Sequence, residues 1–314
     1  MDKPLVIILG PTAVGKTKIS IQLAGLLNAE IISADSMQVY KYMDIGTAKP
    51  SKDEMQGIKH HLIDVVYPDE EFSVALYRKL AGEKIDDILS RHKLPIVVGG
   101  TGLYIKSLTH NLNFAGVVCD KPYREELQKA AKLYGNEYVH NMLKDKDPDS
   151  FKRLHANDLK RVIRALEVFK LTGKTMPDYR SQTKLAPGEY DTCVVGLMMD
   201  RKKLYERINS RADKMIEQGL VDEVKRLLDM GYSRDLTSMQ GLGYKEIIPY
   251  LFGECSLDDA VYKLKECTRH FAKRQITWFK REDLIYWIDV DDFTDENSIV
   301  QNIADYVAGK LNLV

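Results

Sequence analysis

Gly10, Gly15, Lys16 and Thr17 fall at the spacing G-x-x-x-x-G-K-[ST], and that spacing has one chemistry. A loop of this kind turns backbone N–H groups toward a helix N-terminus, where an anionic phosphate meets amide donors and the positive end of the helix dipole. Gly10, Pro11, Thr12, Ala13, Val14, Gly15, Lys16 and Thr17 are therefore candidates for holding a diphosphate or triphosphate, with Lys16 as its cation and the Thr17 hydroxyl as a magnesium ligand. Asp35 closes the next apolar run, among Ser36, Gln38 and Tyr40, and three roles fit it there: magnesium ligand, general base or turn residue. Arg207 and Arg211 are four apart and share a helix face, suited either to diphosphate oxygens or to pairing with Glu206 and Asp213. Thr101, between glycines, can approach either a diphosphate or an acceptor.

One omission matters as much. The apolar run at 95–98 ends in Gly-Gly-Thr-Gly, where an ATPase or GTPase usually places an aspartate that helps to hold magnesium. Asp64 is a candidate substitute, and no Asn/Thr-Lys-x-Asp motif for guanine is present. A phosphate pocket without hydrolytic equipment suits a diphosphate bound as a leaving group.

The elements that must position these residues alternate. Strands are expected at 5–9, 30–34, 61–66 and 95–98, with helices after Thr17 and over 73–91, and with 41–60 as loop. That alternation predicts an α/β protein with a parallel sheet. From Pro122 to about Arg180 the pattern is helical only, with starts at Pro122, Asn136, Pro148 and Asn157 or Asp158, and a stop at Gly173. Strand character returns at 193–199 and 284–288, separated by helices at 201–218, 221–230 and 256–280 and followed by a terminal helix. The expected organisation is a core begun by 1–115, a helical insertion at 116–189 and completion of the core by 190–314.

The chain has 46 basic and 46 acidic residues, but residues 151–185 and 263–281 each carry a basic excess of six. A neutral protein with two basic segments is suited to meeting a polyanion locally, unless those segments are merely solvated helix faces. Arg269, Lys273 and Lys280 form a stripe beside Arg274 and Arg281, with Phe271, Trp278 and Phe279 as aromatic surface between them. No apolar run approaches the roughly 20 residues of a membrane span, and no cleavable signal peptide is expected before the first strand. The four cysteines form no C-x-x-C pair, so a reducing cytoplasm is the expected compartment.

These stretches also carry a resemblance. Gly10–Thr17, Ser33-Ala-Asp-Ser-Met-Gln-Val-Tyr40, Asp44-Ile-Gly-Thr-Ala-Lys49, Gly99-Gly-Thr-Gly-Leu-Tyr104, the segment Asn157–Glu167, Gly243-Tyr-Lys-Glu246 and Thr268–Phe279 together resemble the tRNA dimethylallyltransferases. The resemblance implies a P-loop NTPase-like core, a helical insertion that grips the anticodon stem-loop, and dimethylallyl diphosphate with Mg2+ in place of ATP. It implies dimethylallyl transfer to N6 of adenosine 37, a base taken out of its stack, with Asp35 as base and Lys16, Thr101 and Arg211 as further catalytic groups. It assigns RNA contact to Asp35, Ser36, Met37, Gln38, Thr101, Tyr123, Arg124, Lys160, Arg161, Val162, Ile163, Arg164, Lys273 and Arg274. A monomer is expected. Two other readings of the residues stay open: a small-molecule or nucleoside kinase, and a non-enzymatic RNA-binding module that senses a nucleotide.

Overall fold

The computed structural model describes residues 3–110, 120–182 and 188–312. Its centre is a six-stranded, wholly parallel sheet in the order β3-β2-β4-β1-β5-β6. The strands are β1 (Lys3–Leu9), β2 (Ala29–Ala34), β3 (His60–His61), β4 (Leu94–Gly99), β5 (Tyr190–Met198) and β6 (Ile285–Asp289). The apolar run of β1 follows from burial on both faces, as parallel sheets require. Val6 and Ile8 join one core cluster, with Ile19 and Leu23 of α1 (Lys16–Leu26) and Ile303 and Val307 of α13 (Glu296–Leu311). Leu5, Ile7 and Leu9 join the opposite cluster, with Tyr77, Ala81 and Ile85 of α2 (Val74–Ser90) and Leu108 of α3 (Gly102–Thr109).

The chain divides into two compact units, 1–109 with 189–314, and 110–188. The second is all helix in its described residues: α4 (Lys121–Tyr134), α5 (Asn136–Asn141), α6 (Pro148–Arg153), α7 (Leu159–Thr172) and α8 (Met176–Gln182). Leu127, Val139, Leu143, Val162, Ile163 and Leu166 form its core. Gly173, at φ 68, ends α7 in the left-handed conformation that glycine adopts without strain.

The first unit also contains α9 (Arg201–Glu217), α10 (Leu220–Asp229), α11 (Tyr244–Leu251) and α12 (Leu257–Phe279). Ser256 caps α12 by accepting from the N–H of Asp259 at 3.1 Å. The strand expected at 61–66 is only His60–His61, because Leu62 and Asp64 adopt positive φ, 61° and 55°, and turn the chain. Val65 and Val66 then hydrogen-bond to the Val39 carbonyl. Three helices escaped the sequence reading: α3 begins at a glycine, α8 is short, and α11 has Pro249 inside it. Among the described residues no helix is long and apolar enough to cross a membrane.

Candidate active site

The phosphate loop lies at the carboxyl end of β1, the edge where open α/β sheets bind ligands. Gly10 has no alternative there: a Cβ would sit 2.6 Å from the Leu197 carbonyl oxygen. Ala13 at φ 66 and Gly15 at φ 108 turn the loop into α1. Lys16 folds back so that its Nζ donates to the carbonyls of Gly10 at 3.0 Å and Pro11 at 2.7 Å. Burial lowers its pKa to about 7, with the Asp35 carboxylate opposing that shift and the Arg211 guanidinium adding to it.

Not every residue of the loop presents an amide to a ligand. Pro11 has none, and the Thr12 N–H donates to Gln275 Oε1 at 2.9 Å. Gln275 Nε2 in turn donates to the Gly100 carbonyl at 3.1 Å, so this buried α12 side chain ties the loop to the end of β4. Sequence reasoning passed over Gln275; its signal was a polar residue on the apolar side of α12. A cavity of about 1010 Å³ opens beside the loop, lined there by Ala13, Gly15, Lys16 and Thr17 and opposite by Arg207 and Arg211. Arg207 Nη1 lies 3.4 Å from the Val14 carbonyl, and Arg211 Nη1 lies 3.5 Å from Thr12 Oγ1. Among the described residues neither arginine forms an ion pair with Glu206 or Asp213, and Asp213 pairs instead with Lys265 at 2.6 Å. Burial lowers the Arg211 pKa, so an arriving anion would relieve a cost already present.

A second cavity, of about 300 Å³, holds Asp35, Ser36, Met37 and Thr101, and Arg211 lines both spaces. Asp35 Oδ1 accepts from the Met37 N–H at 2.8 Å. Thr101 Oγ1 accepts from the Ser36 N–H at 3.0 Å. Apolar Leu264 and Phe271 from α12 complete this pocket, with Arg274 at its edge. The segment 44–48 lies between the two cavities: Asp44, Ile45 and Ala48 line the larger, Gly46 and Thr47 the smaller.

Several expected positions turn out to serve the fold. Asp64 accepts from Lys49 Nζ at 2.6 Å and does not line the phosphate cavity, so it is no strand-end metal ligand. Gln38 does not line the second cavity; its amide is engaged by Ser33 and by the carbonyls of Thr47 and Ala48. Val162 and Ile163 are buried in the helical core, because the period of α7 turns them inward. Arg124 grips the fully buried Glu167 through Nε at 2.7 Å and Nη2 at 2.8 Å, and Arg164 binds the same carboxylate. Burial opposes charge on Glu167, but the two guanidiniums and the Asp120 N–H hold its pKa below the ordinary value. The Tyr123 ring is covered by Lys170, whose Nζ lies 3.9 Å from its centroid. Lys160 and Arg161 do reach solvent, Arg161 pairing with Asp158 at 2.8 Å. On α12, Lys273 and Arg274 are exposed, whereas Arg269 donates to Asn209 at 2.7 Å and Phe279 is buried.

Among the described residues no three His, Cys, Asp or Glu side chains cluster as a metal site. Thr17 is exposed on the cavity wall. That donor set fits a magnesium ion arriving with phosphate and water rather than one held in a protein cage.

Fold and site define a P-loop α/β protein in which a cavity beside the loop adjoins a second one carrying a carboxylate and a hydroxyl. The IPP transferase family model matches residues 38–282, and the isopentenyl transferase model matches residues 3–68. A tRNA dimethylallyltransferase of Acetivibrio thermocellus is 54% identical over 308 residues, 98% of each chain, and one of Thermoanaerobacter sp. is 53% identical over 311 residues, again 98% of each. The crystal structure of the tRNA isopentenylpyrophosphate transferase of Bacillus halodurans is similar with a TM-score of 0.75 at 45% identity, covering 99% of this chain and 97% of that one. A eukaryotic dimethylallyltransferase acting on tRNA is similar with a TM-score of 0.79 at 31% identity, covering 98% and 80%. The chain belongs to the IPP transferase family, whose curated relatives here are tRNA dimethylallyltransferases.

Proposed function

We propose that the protein transfers the dimethylallyl group of dimethylallyl diphosphate to N6 of adenosine 37 in the anticodon loop of tRNAs. The observation that carries this reading is the pair of adjoining cavities, one beside the phosphate loop and one around Asp35, with Arg211 on the wall of both. Relatives over almost the whole chain carry the corresponding name.

The adenine amine is a weak nucleophile because its lone pair is shared with the ring. In the proposed step N6 forms a bond to the allylic carbon while the carbon–oxygen bond to diphosphate breaks, and the N6 proton passes to the Asp35 carboxylate. The Met37 N–H holds one Asp35 oxygen and leaves the other for that proton. Thr101, on the wall of the same cavity, would orient the base. Negative charge grows on the diphosphate as it leaves, and Lys16, the amides from Ala13 onward, Arg207 and Arg211 are poised to stabilise it without rearrangement. When bound, Mg2+ would neutralise part of the diphosphate charge, with the Thr17 hydroxyl as its protein ligand. The substrate base must leave its stack to enter the second cavity. Lys160 and Arg161 on α7, and Lys273 and Arg274 on α12, supply exposed positive charge for the phosphates of the anticodon stem-loop.

Mass spectrometry of tRNA incubated with the protein and dimethylallyl diphosphate tests the reading. Expected is a single added dimethylallyl group on adenosine 37. Unchanged tRNA, or consumption of ATP with a phosphorylated small molecule as product, would overturn it.

A further inference from the structure

The segment between the two cavities is held by a residue that touches neither. Glu223, on the first turn of α10, is 4% exposed. Its Oε2 accepts from the N–H groups of Asp44 at 3.0 Å and Ile45 at 2.9 Å. Its Oε1 accepts from the Gly46 N–H at 3.1 Å and from the Tyr244 hydroxyl at 2.7 Å. No Lys, Arg or His pairs with it within 4 Å among the described residues. A buried carboxylate without a cation is costly, and four donors converging on it offset that cost only while the segment keeps this conformation.

The other side is equally constrained. A Cβ on Gly46 would sit 2.5 Å from the Tyr244 ring, so the backbone lies flat against that ring. Lys49 Nζ donates to Asp44 Oδ1 at 2.6 Å and to the Tyr40 carbonyl at 3.0 Å, closing the segment from its far end. Three consecutive amides, one ring and one lysine thus fix a wall whose faces belong to different cavities.

We propose that Glu223 is a positioning residue: acting through Asp44–Gly46, it sets the wall that aligns the allylic carbon with the acceptor amine and keeps water from that carbon. The proposal rests on the assignment of donor and acceptor to the two cavities. If the wall shifts, water is the competing nucleophile. Its oxygen bonds to the allylic carbon, the carbon–oxygen bond to diphosphate breaks, a water proton passes to solvent, and the products are dimethylallyl alcohol and diphosphate.

Glu223→Gln tests this, because the amide keeps the shape but turns its NH2 toward backbone N–H groups on one side. The assay measures tRNA prenylation, dimethylallyl alcohol and total diphosphate together, well below the melting temperature, beside donor-dependent thermal shifts for wild type, Glu223→Gln and Lys16→Met. Expected is a fall in kcat for transfer of about 10- to 100-fold, the scale of a displacement near 1 Å. Alcohol should form at a rate comparable with transfer, and Glu223→Gln should keep a donor shift that Lys16→Met loses. Tyr244→Phe removes one donor of four, leaves the ring, and should move the product ratio in the same direction by less. If Glu223→Gln is too unstable to assay, the Tyr244→Phe product ratio decides. Wild-type coupling of donor consumption to transfer per folded molecule would overturn the proposal, whatever the melting temperature. Absence of any donor shift in wild type, or its persistence in Lys16→Met, would instead remove the cavity assignment and this inference with it.

Discussion

Replacing Lys16 with methionine should make the free protein more stable while it destroys donor binding. The Lys16 ammonium is confined beneath the phosphate loop with two carbonyls as its hydrogen-bond partners, and its pKa falls from 10.5 to about 7. A fall of that size corresponds to a cost for the charged form on the order of 5 kcal/mol. The side chain is only part-buried by surface, and screening by cavity water brings the expected figure to about 2 kcal/mol. Below pH 7 the folded and unfolded chains both keep the proton, and the whole cost stands. Between 7 and 10.5 the unfolded chain binds the proton and the folded chain does not, so the cost shrinks as pH rises and is gone near 10.5. Lys16→Met should therefore melt about 4–8 °C above wild type at pH 6, with an advantage that narrows steadily toward pH 10. Differential scanning calorimetry of both proteins from pH 6 to 10 is the assay. Diphosphate binding should restore the proton, so wild-type donor affinity should weaken as pH rises above about 7. Parallel stability curves for the two proteins between pH 7 and 10 would refute this account of Lys16.

Asp35→Ala should reduce turnover by roughly 10²- to 10⁴-fold with tRNA affinity nearly intact; a variant that turns over normally but binds tRNA poorly would make Asp35 a recognition residue. Replacing Lys160 and Arg161 with Ala should weaken tRNA binding and flatten its salt dependence by somewhat under one log unit per lost contact, without changing donor affinity. Equal slopes in a salt titration would move the RNA footprint elsewhere. Glu167→Ala should destabilise the helical unit by about 1–3 kcal/mol, because it removes the buried carboxylate that accepts from Arg124, Arg164 and the Asp120 N–H, and chemical denaturation would show it as an earlier transition.

The phosphate loop and the alternating elements of the core were legible because their signals are local. A run such as Leu5–Leu9 can only be a strand covered on both faces, and Gly15-Lys16-Thr17 follows it at once. What misled was polarity without its partner. Arg124 and Arg164 read as solvated charges in the sequence, and their bonds to Glu167 do not show there, because a salt bridge between α4 and α7 depends on packing that no spacing reveals. Phe279 likewise reads as aromatic surface until the sheet closes over it. What Glu223, Gln275 and Tyr244 hold was not legible for the same reason: each bonds to a segment tens to hundreds of residues away. Residues 111–119, including Cys119, and 183–187, including Lys184 of the basic segment 151–185, lie outside the described residues.

The join made by Gln275 also bears on how this site can change over generations. A Cβ at Gly100 would lie 2.1 Å from Gln275 Nε2, so any side chain at position 100 displaces the amide that joins the loop to β4. A shorter residue at 275 would release both the Thr12 amide and the Gly100 carbonyl. Positions 100 and 275 therefore constrain each other, because a change at either one disturbs the same pair of hydrogen bonds. The conformation of the phosphate loop is thereby tied to two positions outside its own motif, a glycine at the end of β4 and a glutamine on α12.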